Sequence, residues 1–377
     1  MKHTFLTLAL RIASFVRALA YEFTAVCETG QELAYTINED KETVCVYKNS
    51  NSISGELIIP ANVEYDSKIY RVTSIGGSAF SDCSGLTSIT IPKSVTSIGW
   101  GAFSGNSGLT SITIPENVTS IDAIAFSGCS GLTSITIPEG VTSIGSGAFS
   151  GCLNMETVYY YALSCKMSGE DNFNNLKNFY FGNGKYEQTI PLGIIQGSFN
   201  TIENIYFNAS SYILEDKSLF CNLNLKIVSL GENISWRIPK NLFEGSTIQS
   251  VYYNNGSDLE DKSPFENMGS IKSVYYSQGG QQCYLFSGCI GITSVTIMEE
   301  ATYIPIGTFS DCPNIETIHF NAISCKSTKA FSNRGNLKNV YLGDNVQTIP
   351  ENIFSGCTGL TSVCLPSKVV SIGSSAF

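Results

Sequence analysis

The sequence predicts a β-rich solenoid: a parallel inner sheet of about 13 coils, repeating every 23 residues or so, with a few short helical turns. Three observations predict it. The phrase LTSITIP at Leu86 returns at Leu109 and Leu132. Its apolar positions persist in phase to the C-terminus even where the wording changes. The block METVYYYALSCKMSGEDNFNNLKNFYFGNGKYEQTIP, starting at Met155, returns about 160 residues later as IETIHFNAISCKSTKAFSNRGNLKNVYLGDNVQTIP, as though seven coils had been copied together. Units this short cannot hold a core alone, and only stacking buries one.

Residues 1–20, MKHTFLTLALRIASFVRALA, read as a signal peptide. They carry a basic start, the apolar run Phe5 to Leu10 and the small-residue site Ala18-Leu19-Ala20, with Arg11 and Arg17 interrupting the apolar region. A secreted or cell-surface location follows. The net charge of −10 and the charged fraction of 14% imply an acidic, charge-poor surface. That argues against nucleic acid as a partner, because phosphate contacts need clustered Lys and Arg. No apolar run approaches the ~20 residues of a transmembrane segment.

Taking the first leucine of LTSITIP as an anchor, the coils begin at Leu86, Leu109, Leu132, Met155, Leu176, Ile202, Leu225, Ile248, Ile271, Ile292, Ile315, Leu337 and Leu360. The unit is L-x-x-I-x-I-P-x-x-V-x-x-I-G-x-x-A-F-x-x-C. Positions +3 and +5 are always large and apolar with one variable residue between them, the alternation of a strand with one face buried. At ~4.8 Å per coil, thirteen coils would give a sheet about 60 Å long. Val95 and Ile98 come from the opposite wall, Gly99 permits a turn, and Ala102-Phe103 closes the interior. Middle coils keep the strand positions while losing the proline and often the Ala-Phe box.

The L-x-x-L-x-L pattern is that of a leucine-rich repeat. The motifs LTSITIP, VTSIG, GAFSGCSG and IPENIFSGCTGLTSVCLP, over roughly Leu57 to Phe377, resemble the BspA-like (Treponema pallidum type) leucine-rich repeat family. The resemblance implies that residues 21–75 form an N-terminal β-hairpin cap shielding the first coil, and that 76–377 are the repeats, the last of them incomplete. It also implies a non-enzymatic secreted or cell-surface adhesion protein that engages host extracellular-matrix or cell-surface proteins.

Six of the 13 cysteines (Cys83, Cys129, Cys152, Cys289, Cys312 and Cys357) fall three residues before an anchor, a column that also holds Asn106 and Arg334. Stacked neighbours would have Cβ atoms about 4.8 Å apart, longer than the ~3.8 Å a disulfide prefers. No C-x-x-C or nearby histidine completes a metal site. The column therefore reads as a small apolar residue filling the corner. Cys165 and Cys325 match only through the duplicated block.

No cofactor, metal or catalytic residue is expected. The only histidines are His3 and His319, and neither sits near a nucleophile elbow. The acids Glu116, Glu139, Asp171, Asp258 and Asp261 lie in turns, where solvated roles suffice. No phosphate, dinucleotide or calcium loop is present. Asn-x-Ser/Thr at Asn117, Asn208, Asn233 and Asn255 is what a chain rich in Asn and Ser contains by chance.

Candidate binding residues lie in the outward column at position +4. It reads Thr90, Thr113, Thr136, then Tyr159, Tyr180, Tyr206, Ser229, Tyr252, Tyr275, Thr296, His319, Tyr341 and Cys364. The tyrosines and His319 would form an amphipathic stripe suited to a protein interface or to stacking on the sugars of a glycan. Lys177, Glu203, Lys272, Glu316 and Lys338 flank it at position +1. The alternatives are a glycan-binding module, or a ladder that only stabilises the sheet of a structural spacer. Phe377 falls in the phase of Phe103, so the last coil stops unclosed and its sheet edge is open to association.

Overall fold

A computed structural model describes residues 21–47, 53–169, 173, 175–191, 193, 200–214, 219–232, 242–254, 263–278, 284–327 and 329–377. The signal-peptide reading of 1–20 lies outside the described residues, as do Asp171, Asp258, Asp261, Asn233 and Asn255. The chain forms two compact units, one of 1–155, 165–174 and 193–197, the other of 156–164, 175–192 and 198–377. Both use the same coil.

In the first unit, Phe23–Val26, Glu32–Ile37 and Thr43–Tyr47 form an antiparallel meander. Thr43–Tyr47 then pairs in parallel with Lys68–Ile75, which also takes Asn62–Tyr65 as an antiparallel partner. The wall continues in parallel through Ser97–Ile98, Ser120–Ile121, Ser143–Ile144 and Lys166–Met167. Gly55–Ile58 joins the inner face, pairing with Leu86–Thr90 and through it with Ser111–Ile112. The segment before the repeats thus contributes a rung to each wall, because GELIIP carries the same alternation as LTSITIP.

In the second unit the inner ladder runs in parallel from Thr157–Tyr160 through Asn178–Phe181, Asn204–Phe207, Asn224–Leu230, Thr247–Asn254, Ser273–Gln278, Ser294–Ile297 and Thr317–Phe320 to Asn339–Leu342. The in–out alternation holds along most of the ladder: Val158, Tyr160, Phe179, Phe181, Val251 and Val274 are 0% exposed.

The solenoid makes about 11 turns at a period near 23, rather than 13 coils. Strands arise at the anchors from Leu86 to Leu337 but not at Leu360. There Leu365 is 51% exposed, so the alternation buries too little to support a ladder. The inner ladder of the first unit also pauses, since Ser111–Ile112 pairs with Leu86–Thr90 but does not continue the ladder to Ser134–Ile137.

Among the described residues no α-helix is present, so the expected helical turns are replaced by another device. In the Ala-Phe corner only alternate N–H groups bond within the turn, as Ala102 to Gly99 O (3.1 Å) and Ser104 to Gly101 O (3.0 Å). The others bond the next coil, as Gly101 to Ala123 O (3.0 Å), Phe103 to Ala125 O and Phe126 to Ala148 O (both 2.7 Å). Donors spent on a neighbouring coil cannot close an i to i−4 helix. The proline carbonyl at the strand end accepts the N–H three residues on, Pro115 from Val118 at 3.0 Å.

Gly99 has a different role from the one expected. A Cβ there would lie 2.9 Å from the backbone of Ile75, Gly76 and Gly77 in the preceding coil. Close approach of stacked backbones, not a left-handed turn, requires the glycine.

Phenylalanines fill the interior as columns. Phe80, Phe103, Phe126, Phe149 and Phe173 stack at 5.4, 5.3, 5.4 and 5.9 Å in the first unit. In the second, Phe243, Phe265, Phe286, Phe309, Phe331, Phe354 and Phe377 do so at 5.2 to 6.1 Å.

The cysteine column is buried, and Cys83, Cys129, Cys289, Cys312 and Cys357 are thiols. It is more than an apolar filler. Each of four sulfurs donates to the Phe carbonyl one coil back: Cys129 to Phe103 (3.0 Å), Cys152 to Phe126 (3.2 Å), Cys312 to Phe286 (2.9 Å) and Cys357 to Phe331 (3.1 Å). Asn106 Nδ2 donates to Phe80 O and Phe103 O, both at 2.8 Å, and Ser246 Oγ donates to Phe220 O at 2.7 Å. Arg334 reaches Phe309 O and Cys312 O. What the site selects is a donor, because a carbonyl buried without one is costly.

Burial pushes the thiols of Cys129, Cys289 and Cys325 up to about 12 and that of Cys312 up to about 11, from an ordinary 9.0. Since folding favours the uncharged thiol, its stability contribution is complete below pH 9 and is lost as pH rises toward 11–12. The melting temperature should therefore fall over that window, and a flat profile would contradict this. At pH 8 a thiol reagent should label exposed Cys364 in the folded chain, and the buried thiols only after unfolding.

Candidate functional site

The outward column is built by strand register. Tyr159, Tyr180 and Tyr206 lie opposite one another, then Ser229, Tyr252, Tyr275, Thr296, His319 and Tyr341, one per strand of the second unit. The parallel ladder dictates this, because a shared register puts equal positions of successive coils side by side. All seven predicted site residues are on the outward face.

They do not form one stripe. Ser229 and Thr296 divide the column into three stacks. Tyr159 and Tyr180 have centroids 4.7 Å apart, Tyr180 and Tyr206 4.1 Å with planes 5° apart, Tyr252 and Tyr275 4.2 Å at 3°, and His319 and Tyr341 5.0 Å at 19°. Ring faces therefore point along the stack at each other. Edges and hydroxyls face outward, and only the end rings of a stack have a face uncovered by the column. This geometry limits sugar stacking, which needs a free ring face, and suits contacts to ring edges and phenol oxygens.

Burial, with the hydrogen bond to Tyr206 second, pushes the Tyr180 hydroxyl up to about 12. Burial likewise raises that of Tyr252, with Tyr275 adding to it. The hydroxyls of Tyr180 and Tyr252 thus stay protonated throughout the neutral range. Tyr161 leans on Tyr159 at 6.3 Å, widening the first stack.

Beside the column, position +1 forms an alternating charge ladder: Lys177 with Glu156 at 2.6 Å, Lys226 with Glu203 at 2.8 Å and Lys338 with Glu316 at 3.2 Å. These exposed pairs contribute little to stability, but they leave the strip beside the tyrosines locally neutral. Position +2 adds an amide ladder, Asn204 Nδ2 to Asn178 Oδ1 at 2.8 Å and Asn178 Nδ2 to Thr157 Oγ1 at 3.3 Å.

Sequence reasoning missed a cleft of about 520 Å³ at the C-terminal ends of the strands, lined by Ser229, Glu232, Tyr252, Asn254, Tyr275, Ser277, Gln278 and Glu300 with Tyr253 and Met298. Glu232, Asn254, Ser277, Gln278 and Glu300 come from positions +6 to +8, where coil lengths vary and no column is legible. Among the described residues no group of three or more His, Cys, Asp or Glu could hold a metal ion. Among the described residues no helix is long and apolar enough to cross a membrane.

Residues 60–181, 189–283 and 281–377 match the family described as BspA type leucine rich repeat region, in 6 copies. Among solved structures the chain is similar to a leucine-rich repeat protein from Bacteroides ovatus ATCC 8483, at 25% identity over 92% of this chain and 95% of that one, with a TM-score of 0.34. It is similar to the T. pallidum leucine rich repeat protein at 21% identity, over 52% and 83% of the two chains, with a TM-score of 0.38. A leucine rich cell surface protein from Faecalibacterium prausnitzii A2-165 is 20% identical over 94% and 96%, with a TM-score of 0.34. No match is found among curated proteins. The family pattern extends over most of the sequence, in phase with the strands and corners described above, and the chain belongs to the BspA type leucine-rich repeat family.

Proposed function

We propose that this chain is a non-enzymatic binding protein, secreted or held at a cell surface, that presents the outward sheet face of its second unit to a protein ligand of the host matrix or of a neighbouring cell. The observation that carries the reading is the outward column of phenol stacks, Tyr159 to Tyr206 and Tyr252 with Tyr275, set on a continuous parallel ladder. Aromatic groups held rigid lose little entropy on binding, which is why they anchor interfaces. The basic, apolar and small-residue succession over 1–20 supports export. His319 stacks on Tyr341, an arrangement that serves a surface rather than a catalytic relay.

An array of matrix proteins, cell-surface proteins and glycans tests the reading. The wild-type chain is compared with a variant in which Tyr159, Tyr180, Tyr206, Tyr252 and Tyr275 are replaced by Ser. Protein binding should fall at least tenfold with the fold retained by circular dichroism. Unchanged protein binding would dismiss this face. Loss of glycan signals alone would make the protein a glycan-binding module instead.

A further inference from the structure

The outward column of the second unit is one ring short at Ser229. Register places Ser229 directly between Tyr206 and Tyr252. Two strand spacings put those tyrosines about 9.6 Å apart, whereas Tyr180 with Tyr206 and Tyr252 with Tyr275 stack at 4.1 and 4.2 Å. A planar group entering above the serine would lie about 4.8 Å from each phenol. Tyr252 is 37% exposed although Tyr275 covers one of its faces, as a ring with its other face open should be.

The gap opens into the 520 Å³ cleft, whose rim carries the carboxylates of Glu232 and Glu300. Asn254 Nδ2 donates to Glu232 Oε1 at 3.0 Å and Ser277 Oγ to Glu300 Oε2 at 3.4 Å, which holds both acids at the cleft. Among the described residues the lysines of these coils, Lys226 and Lys272, sit three residues before Ser229 and Tyr275. Lys226 pairs with Glu203, and Lys272 donates to Gly269 O.

We infer that this gap is an arginine clamp: it takes the guanidinium of an arginine on a partner protein, stacked between Tyr206 and Tyr252 above Ser229, with Glu232, of the same coil as Ser229, as counter-charge. The inference rests on the reading of this face as a protein-binding surface. A guanidinium is planar, weakly hydrated and stacks on aromatic faces, and its five donors reach carboxylates at its edge. Both phenols would lie within the ~6 Å over which a cation is drawn to a ring. A lysine ammonium has no plane to fill the missing layer. A pyranose could meet the ring faces and donate hydroxyls to Glu232, but it carries no charge to balance that carboxylate in a chain of net charge −10.

The test is an NMR titration of the full chain with the peptide acetyl-Gly-Gly-Arg-Gly-Gly-amide, its lysine and citrulline counterparts, and cellotetraose. The arginine peptide should bind at millimolar concentration and the citrulline peptide at least tenfold more weakly. Ser229→Tyr fills the gap with the residue neighbouring coils carry there; it should keep the melting temperature and abolish binding. Glu232→Gln, at an exposed residue, should weaken binding several-fold and reduce its salt dependence. The clamp is overturned if the arginine peptide fails to bind, if citrulline matches arginine, if Ser229→Tyr changes nothing, or if cellotetraose alone is lost in that variant. Matrix-protein binding without arginine binding would sink the clamp and leave the binding surface standing. Arginine binding without any protein ligand would do the reverse.

Discussion

Replacing Phe126 by alanine is expected to lower the unfolding free energy of the first unit by about 4 kcal/mol, within the range for a buried phenylalanine. Phe126 is 0% exposed and lies 5.3 Å from Phe103 and 5.4 Å from Phe149. Its loss removes the layer joining two coils. In a solenoid, where each repeat contacts only its neighbours, the damage should appear as lost cooperativity as well as lost stability. Urea unfolding followed by circular dichroism would read both, as a lower midpoint and a broader or split transition. Thr113→Ala, at an exposed outward slot of the same unit, should stay within about 0.5 kcal/mol. Equal effects from the two changes would mean that the phenylalanine column does not couple the coils.

Asn106→Ala is the second large effect, at about 2 kcal/mol, the cost of a buried acceptor left without its donor. Asn106 is 0% exposed and its amide donates to Phe80 O. Phe103 O is less vulnerable, because Cys129 Sγ also donates to it. The asparagine fits imperfectly, since its own Oδ1 is buried with no partner. Asn106→Cys should therefore match or exceed the wild type, as cysteine makes the same bond from this column elsewhere without bringing an orphan acceptor. Thermal unfolding of the two variants decides the matter. A cysteine variant as unstable as the alanine variant would show that volume, not donation, governs the column.

That column shows how far the residues could be read. The phase of Cys83, Cys129 and Cys152 was visible, and so was the mismatch between coil spacing and disulfide geometry. The donor role was not, because the acceptor is a main-chain carbonyl 26 residues away, as for Cys129 and Phe103. Asn106 and Arg334 were the available signal, since what they share with cysteine is a hydrogen to donate. Gly99 is a similar case. A glycine was required, but the backbone that excludes a Cβ belongs to the coil before it.

The candidate site divides along the same line. Tyr159, Tyr180, Tyr206, Tyr252, Tyr275, His319 and Tyr341 were placed on the outward face by counting alone, because strand periodicity and a parallel register leave no other place for them. The break at Ser229 was legible as a letter, but its meaning required knowing that the rings stack face to face. The cleft with Glu232, Asn254 and Glu300 was hidden, because it forms where coils differ in length and column counting fails.

By itself, then, the sequence determined the coil, the alternation of buried and outward residues, the columns they fall into, and the family. Each follows from a period of two along the strand and a near-constant step between coils. Only the tertiary structure decided how neighbouring coils use one another: phenol faces turned on phenol faces, thiols on carbonyls, corner N–H groups on the next corner. Those contacts depend on separations of a few ångströms between residues 21 to 26 apart in the chain. No local preference of the backbone encodes that distance; stacking the coils creates it.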